Sequence, residues 1–311
     1  MDPSIIECSD QLVLRPSITR VDGRPILSKT QALVTSQGMS PVIEMTLRDL
    51  EGRPINFESC GFESYSSSSS YSSSSAPQGK VLLKAKEVFD TNSTIPVVDI
   101  EGVFVNAAAG VVRAKLPVNA TDSNGIFQGN WGVMSASNEL IHSSQFFIVV
   151  EKSQFSSSGS DNGSGLPAIN EVRLYLRDSS PEDNPLLNTL EFDLPEICEA
   201  MIVCVQHWNT MQPRVRVTFS TRNFPKPSVM LNGIMGELYL AAAKHYRRNQ
   251  LNYTAGGLAI DDKNKSQEYE TMGDRMLQDY LKWVKMTKIQ INKEAWDDSF
   301  GSTYDGFGRY R

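Results

Sequence analysis

Three histidines, four cysteines and a few paired glycines and carboxylates are the side chains through which this sequence could do chemistry. His142, His207 and His245 stand far apart, and no two of them have the spacing of a metal-binding motif. Cys204 and His207 are neighbours, but two ligands do not make a site, so no metal is expected. Cys8, Cys60, Cys198 and Cys204 are too few and too scattered for a disulfide framework. On a helix, Cys198 and Cys204 are separated by about 600° of rotation and so point to different faces. They read as buried thiols, and the histidines as surface imidazoles.

Larger constellations are weak too. The sequence holds no G-x-x-x-x-G-K-[ST] loop, no H-E-x-x-H, no G-x-S-x-G elbow and no G-x-G-x-x-G after a strand. Gly256-Gly257 reads as a turn between two helices rather than a phosphate cradle. Asp261 and Asp262, just ahead of a long helical pattern, read as N-caps rather than paired catalytic carboxylates. Lys244, Arg247 and Arg248, with His245 beside them, form one basic knot. It suits a helix C-terminus, or a contact with an acidic partner or DNA. No catalytic residue, cofactor or metal is expected, and the chain reads as something other than an enzyme.

The elements that carry these residues fall into two regions. Residues 64–75, SYSSSSSYSSSS, and the Ser/Gly-rich 153–168 cannot bury a core and read as solvated coil. The first is expected to be a long exposed loop, the second an interdomain linker. Between them the period is that of strands: 42–47, 80–88, 97–105, 110–116, 125–134 and 145–150. Short strands at such spacing predict an antiparallel β-sandwich over 42–152, with Trp131 in its core. Residues 1–41 contain Leu12-Val13-Leu14 and Ala32-Leu33-Val34, which read either as extra strands or as an arm.

After 168 the period becomes 3.6. Asp193-Leu194-Pro195-Glu196 has the form of a capped helix start, followed by a stripe of Ile197, Ala200, Met201, Cys204 and Trp208. A second helix is predicted over 228–248, with Leu231, Ile234, Met235, Leu238, Ala242 and Tyr246 along one side. Gly233 and Gly236 make it thin enough for another helix to come close. A third runs from about 261 to 294, a rod of about 50 Å, with Tyr269, Met272, Met276, Tyr280, Trp283, Val284 and Ile291 on one face. The fold class expected is therefore a β-sandwich followed by an α-helical bundle over 169–296 with one long helix. Residues 297–311, with Phe300, Tyr304, Phe307 and Tyr310, read as a flexible aromatic tail able to order against a partner.

Composition bounds the partners. The chain has 311 residues, and 30 Lys and Arg against 36 Asp and Glu give a formal charge of −6, which argues against a general nucleic-acid binder. No apolar run approaches the roughly 20 residues of a membrane span. The acidic MDPSIIECSD start lacks the basic region of a secretory signal.

Both halves are similar to virion structural proteins of tailed bacteriophages. "TLRDLEGRPINF", "NAAAGVVRAKL", "GIFQGNWGVM" and "QFFIVVE" resemble the immunoglobulin-like N-terminal domain of phage baseplate upper proteins. "EVRLYLRDSSPEDNPLL…EFDLPEICEAM" resembles the opening of helical head–tail connector (adaptor) proteins, and "HYRRNQLNYTAGGLAIDDKNKSQEYE" a recurring phage structural family. The resemblance implies a ring, usually of twelve copies, that extends the portal channel at the neck and receives the tail. Its partners would be the portal protein, a tail terminator or tail tube and sheath proteins, and neck fibres. Genomic DNA would pass through without specific binding, and no membrane would be involved. In that picture Phe300, Tyr304, Phe307 and Tyr310 dock on the portal. Leu231, Ile234, Leu238, Tyr269, Met276, Tyr280 and Trp283 serve in part as subunit contacts, and Lys244, Arg247 and Arg248 form a basic contact cluster. A baseplate or fibre-attachment protein is the alternative, and a carbohydrate-active tail enzyme a remote one. The chain would be made in the host cytoplasm and reside in the virion.

Overall fold

Lys80, Lys84 and Lys86 face solvent while Val81, Leu83 and Ala85 are buried between them, the period-2 pattern that a half-buried strand requires. The computed structural model describes residues 13–14, 31–49, 53–60, 62, 79–89, 98–152, 165–183, 189–248, 252–255, 258–261 and 263–307. The Ser-rich 64–75 and most of 153–168 lie outside them. The chain divides into two units, Met1–Asp161 and Asn162–Arg311. No described helix is long and apolar enough to cross a membrane.

The first unit contains β1 (Val13–Leu14), β2 (Gln31–Ser36), β3 (Val42–Thr46), β4 (Lys80–Glu87), β5 (Val98–Asn106), β6 (Val111–Lys115), β7 (Gly125–Met134) and β8 (Leu140–Glu151). These make one eight-stranded sheet in the order β1-β3-β6-β5-β4-β7-β8-β2. The expected strands are present, but the expected antiparallel sandwich is not the arrangement they take. Val98–Gly102 of β5 pair with β4, whereas Val103–Asn106 pair with β6, with a register irregularity between Phe104 and Asn106. A bulge adds twist and bends a strand, so the sheet turns along β5 and curls around its own core. Leu33, Met45, Leu83, Val112, Trp131 and Ile148, from six different strands, are buried in that single cluster. Both outermost pairings are parallel, β2 with β8 and β1 with β3. The two apolar stretches of the first forty residues thus add strands to the sheet.

The second unit contains α1 (Ile169–Leu176), α2 (Leu194–Thr210), α3 (Pro227–Arg248), β9 (Asn252–Ala255), β10 (Leu258–Asp261) and α4 (Lys263–Phe307). It is a helical unit with a small antiparallel strand pair, not a plain bundle. α1 ends at Arg177, whose φ of 56° is left-handed. The next residue, Asp178, is buried and accepts the backbone N–H groups of Glu191 (2.8 Å) and Phe192 (3.1 Å). Burial raises its pKa, while those two bonds and the Arg173 guanidinium at 3.4 Å hold the ionised form. This carboxylate ties the end of α1 to the approach to α2.

The start of α2 is the capping box its sequence announces, with Asp193 N–H donating to Glu196 Oε2 at 2.8 Å. Its stripe of Ile197, Ala200, Met201, Cys204 and Trp208 is buried throughout. α3 opens on Pro227, where the missing N–H costs nothing. Two expectations are corrected on the way to α4. Gly256-Gly257 falls between two strands rather than two helices, and Asp261 is not a helix cap but pairs with Asn252 in the strand pair. Asp262 lies outside the described residues. The long helix begins at Lys263 and has 45 residues, so most of the segment expected to be a flexible tail is helical backbone.

Candidate functional site

The contact between α3 and α4 is built on three glycines. A Cβ on Gly236 would lie 2.8 Å from the Leu277 backbone nitrogen, and one on Gly273 3.0 Å from the Gly236 carbonyl oxygen. One on Gly233 would lie 2.8 Å from both Cys204 Sγ and the Tyr280 ring. The thin face of α3 therefore serves close approach, as its sequence indicates, and the helix that approaches is the chain's own α4.

This decides where the expected subunit-contact residues stand. Leu231, Ile234, Leu238 and Tyr280 are buried inside the unit, so their apolar surface is already covered by α2, α3 and α4. The Tyr280 hydroxyl donates to the Cys204 carbonyl at 2.7 Å. Trp283 is half-buried and lies 5.5 Å from Trp208, ring to ring, beside Phe224. Met276 is half-buried, and so is Tyr269. Burial pushes the Cys198 and Cys204 thiols well up, which makes them inert. Cys60 is exposed; Cys8 lies outside the described residues.

Tyr269 belongs to a polar knot that sequence reading missed. Its hydroxyl and that of Tyr246 both donate to Glu191, at 2.9 and 2.7 Å from Oε1. The Lys265 ammonium sits 3.9 Å from the centre of the Tyr246 ring. Burial first, then the Glu191 charge, pushes up the pKa values of Tyr269 and Tyr239. Glu191→Gln is expected to move the alkaline tyrosinate absorbance of these two rings to lower pH. It should also lower stability by about 1–2 kcal/mol, as charge-assisted bonds become neutral ones. The two residues are separated in sequence by 78 positions, so no local pattern announces the pair.

Lys288 is the other unannounced group. It is buried on the inner face of α4, donates to the Met211 carbonyl, and lies 5.6 Å from the Trp208 ring centre. Burial lowers its pKa. The unfolded chain then binds more protons than the folded one between the folded value and the ordinary lysine value of about 10.4. Stability must therefore rise with pH through that window. The stability of the natural chain relative to Lys288→Met is expected to improve from neutral to alkaline pH, read by urea denaturation at each pH.

The histidines are less exposed than expected. His142 lies half-buried 6.1 Å from the Phe57 ring, with Nε2 buried and burial lowering its pKa. His207 Nε2 is 2.9 Å from Glu237 Oε1. Among the described residues no three His, Cys, Asp or Glu side chains are grouped as metal ligands. In the basic knot, Arg247 pairs with Glu270 of α4, and Lys244 and Arg248 are exposed.

What faces outward is a second side of α4. Met272, Met286, Ile289 and Trp296 are 46, 60, 45 and 66 % exposed. Asn292 still reaches the Arg214 carbonyl at 3.1 Å, but Lys293, Glu294, Ala295 and Trp296 are exposed all the way round. From there the helix continues to Phe307, carrying Phe300, Tyr304 and Phe307 in its backbone, while Tyr310 lies outside the described residues.

No protein-family model matches the sequence, and no curated protein is significantly similar to it. Among solved structures, the N-terminal domain of phage TP901-1 ORF48 is similar over 46 % of this chain and 98 % of that chain, at 14 % identity and a TM-score of 0.28.

Proposed function

We propose that this chain is a structural component of a tailed-phage particle and acts by assembling with other subunits, without catalysing a reaction. The observation that supports an assembly role is the C-terminal part of α4. Lys293, Glu294, Ala295 and Trp296 are exposed there, and Met272, Met286 and Ile289 stand exposed before them, apolar surface that a partner would cover. The finer reading follows the sequence resemblance: a ring, usually of twelve, at the head–tail junction, bound to portal through the aromatic end of α4 and receiving tail proteins. The Met1–Asp161 unit then decorates the neck or holds fibres. DNA slides past a net-negative subunit without specific binding. Leu231, Ile234, Leu238 and Tyr280 are not available for the ring contacts, so Met272, Met286, Ile289 and Trp296 take their place in this reading. The exposed Lys244 and Arg248 supply the basic contact.

Gold-tagged antibody against residues 169–311, applied to intact and disrupted source particles, tests the reading. Label at the head–tail junction is the expected result. Label at the distal end would move the chain to the baseplate, and absence from both preparations would end the virion assignment.

A further inference from the structure

The outward side of α4 has a regular seam. Glu268, Met272, Arg275, Asp279, Lys282, Met286, Ile289, Lys293 and Trp296 are all exposed and recur in alternating steps of four and three. That is a seven-residue recurrence along one face, with Met272, Met286, Ile289 and Trp296 its apolar members and charged residues at the other positions. The inner side, with Ser266, Gly273, Tyr280, Val284 and Lys288 buried, is turned away from it and is occupied by the chain's own packing.

Both acids of the seam, Glu268 and Asp279, lie in its first half together with Arg275, and Lys282 and Lys293 lie in its second. The order is complementary to its own reverse. Two copies of α4 laid antiparallel about a point between Gln278 and Trp283 set Glu268 opposite Lys293 and Asp279 opposite Lys282. The same register sets Met272 opposite Ile289, and Arg275, with its apolar stem, opposite Met286. The two-fold axis makes each of these contacts twice. A parallel, in-register pair would instead oppose like charges at Glu268, Arg275, Asp279, Lys282 and Lys293. Among the described residues none of these five charged side chains forms an ion pair inside its own unit.

We infer that the seam binds a second copy of this chain, as an antiparallel two-fold pair of α4 helices over Glu268–Lys293, about 38 Å long at 1.5 Å per residue. The inference rests on the assembly reading in that it names one partner of α4. A two-fold contact differs from the neighbour-to-neighbour contacts of a ring, and where it forms it takes Met272, Met286 and Ile289 in their place.

Sedimentation equilibrium of the full chain is expected to give a species of twice the 34.5 kDa chain mass. K282E/K293E turns four favourable contacts into four unfavourable ones of similar size. It is expected to weaken the pair by roughly a hundredfold, with the helical circular dichroism unchanged because both lysines are exposed. Adding E268K/D279K to the same chain should restore the pair. A monomer at every concentration, a pair indifferent to K282E/K293E, or failure of the fourfold variant to re-pair would each overturn the inference. The assembly reading fails separately: unlabelled particles with an intact pair would remove the phage role and leave the pairing.

Discussion

Trp208→Ala lowers the stability of the helical unit by about 3–5 kcal/mol, the range for removing a fully buried indole. Trp208 has no exposed surface, and its ring meets Phe219, Phe224 and Trp283 at 5.1, 5.9 and 5.5 Å between centroids. The truncation also strips the aromatic cover from the buried Lys288, whose charge then faces a cavity. The expected reading is a fall of about 1–2 M in the urea midpoint of the helical circular dichroism signal. An unchanged midpoint would mean that the aromatic cluster is peripheral to the fold of this unit. Trp208→Phe, which keeps a ring in place, should recover more than half of the loss.

Gly236→Leu is expected to cost about 3 kcal/mol or more, at the upper end of overpacking effects. Helix propensity works the other way, favouring Leu over Gly by roughly 0.8 kcal/mol, so any net destabilisation isolates the packing cost. The new Cβ would lie 2.8, 2.9 and 3.0 Å from Leu277 N, Cβ and Cα, and backbone atoms cannot turn aside as a side chain can. Only a separation of α3 from α4 makes room, and that separation uncovers Tyr280 and Val284. Loss of the cooperative thermal transition of the helical signal is the outcome to look for. A variant of raised melting temperature would show that the helices have slack at this point.

Local signals in the sequence were strong and came out where they should. The Asp193–Glu196 capping box, the buried stripe of α2, the small residues of α3 and the strand segments 80–88 and 125–134 all correspond to elements of the structure. What failed were inferences about partners across distance. Alternation tells which residues of a strand point inward, but a curled sheet and two stacked sheets satisfy the same alternation, so the sandwich could not be distinguished from what β5 builds. An apolar stripe likewise tells that something covers a helix, not whether the cover is in the same chain. Leu231 and Tyr280, expected to serve in part as subunit contacts, are buried within their own unit. The β9–β10 pair was missed because four-residue strands beside two glycines read as a turn. The Glu191 and Lys288 contacts join residues too far apart in sequence for any spacing rule.

The parallel pairing of β2 with β8 imposes an order in time. Gln31 lies beside Phe146, and Ser36 beside Glu151, so β2 has no strand to join until nearly half the chain has been synthesised. Until then its buried Ala32 and Leu33 must wait in water or in the ribosome's vicinity. Contacts so distant along the chain form slowly, because the whole loop between them has to be closed first. The strand made first at this edge is thus among the last to settle. For that interval the outer side of β8 stands open, and it is the tether to the chain's own β2, with the high effective concentration it confers, that closes it.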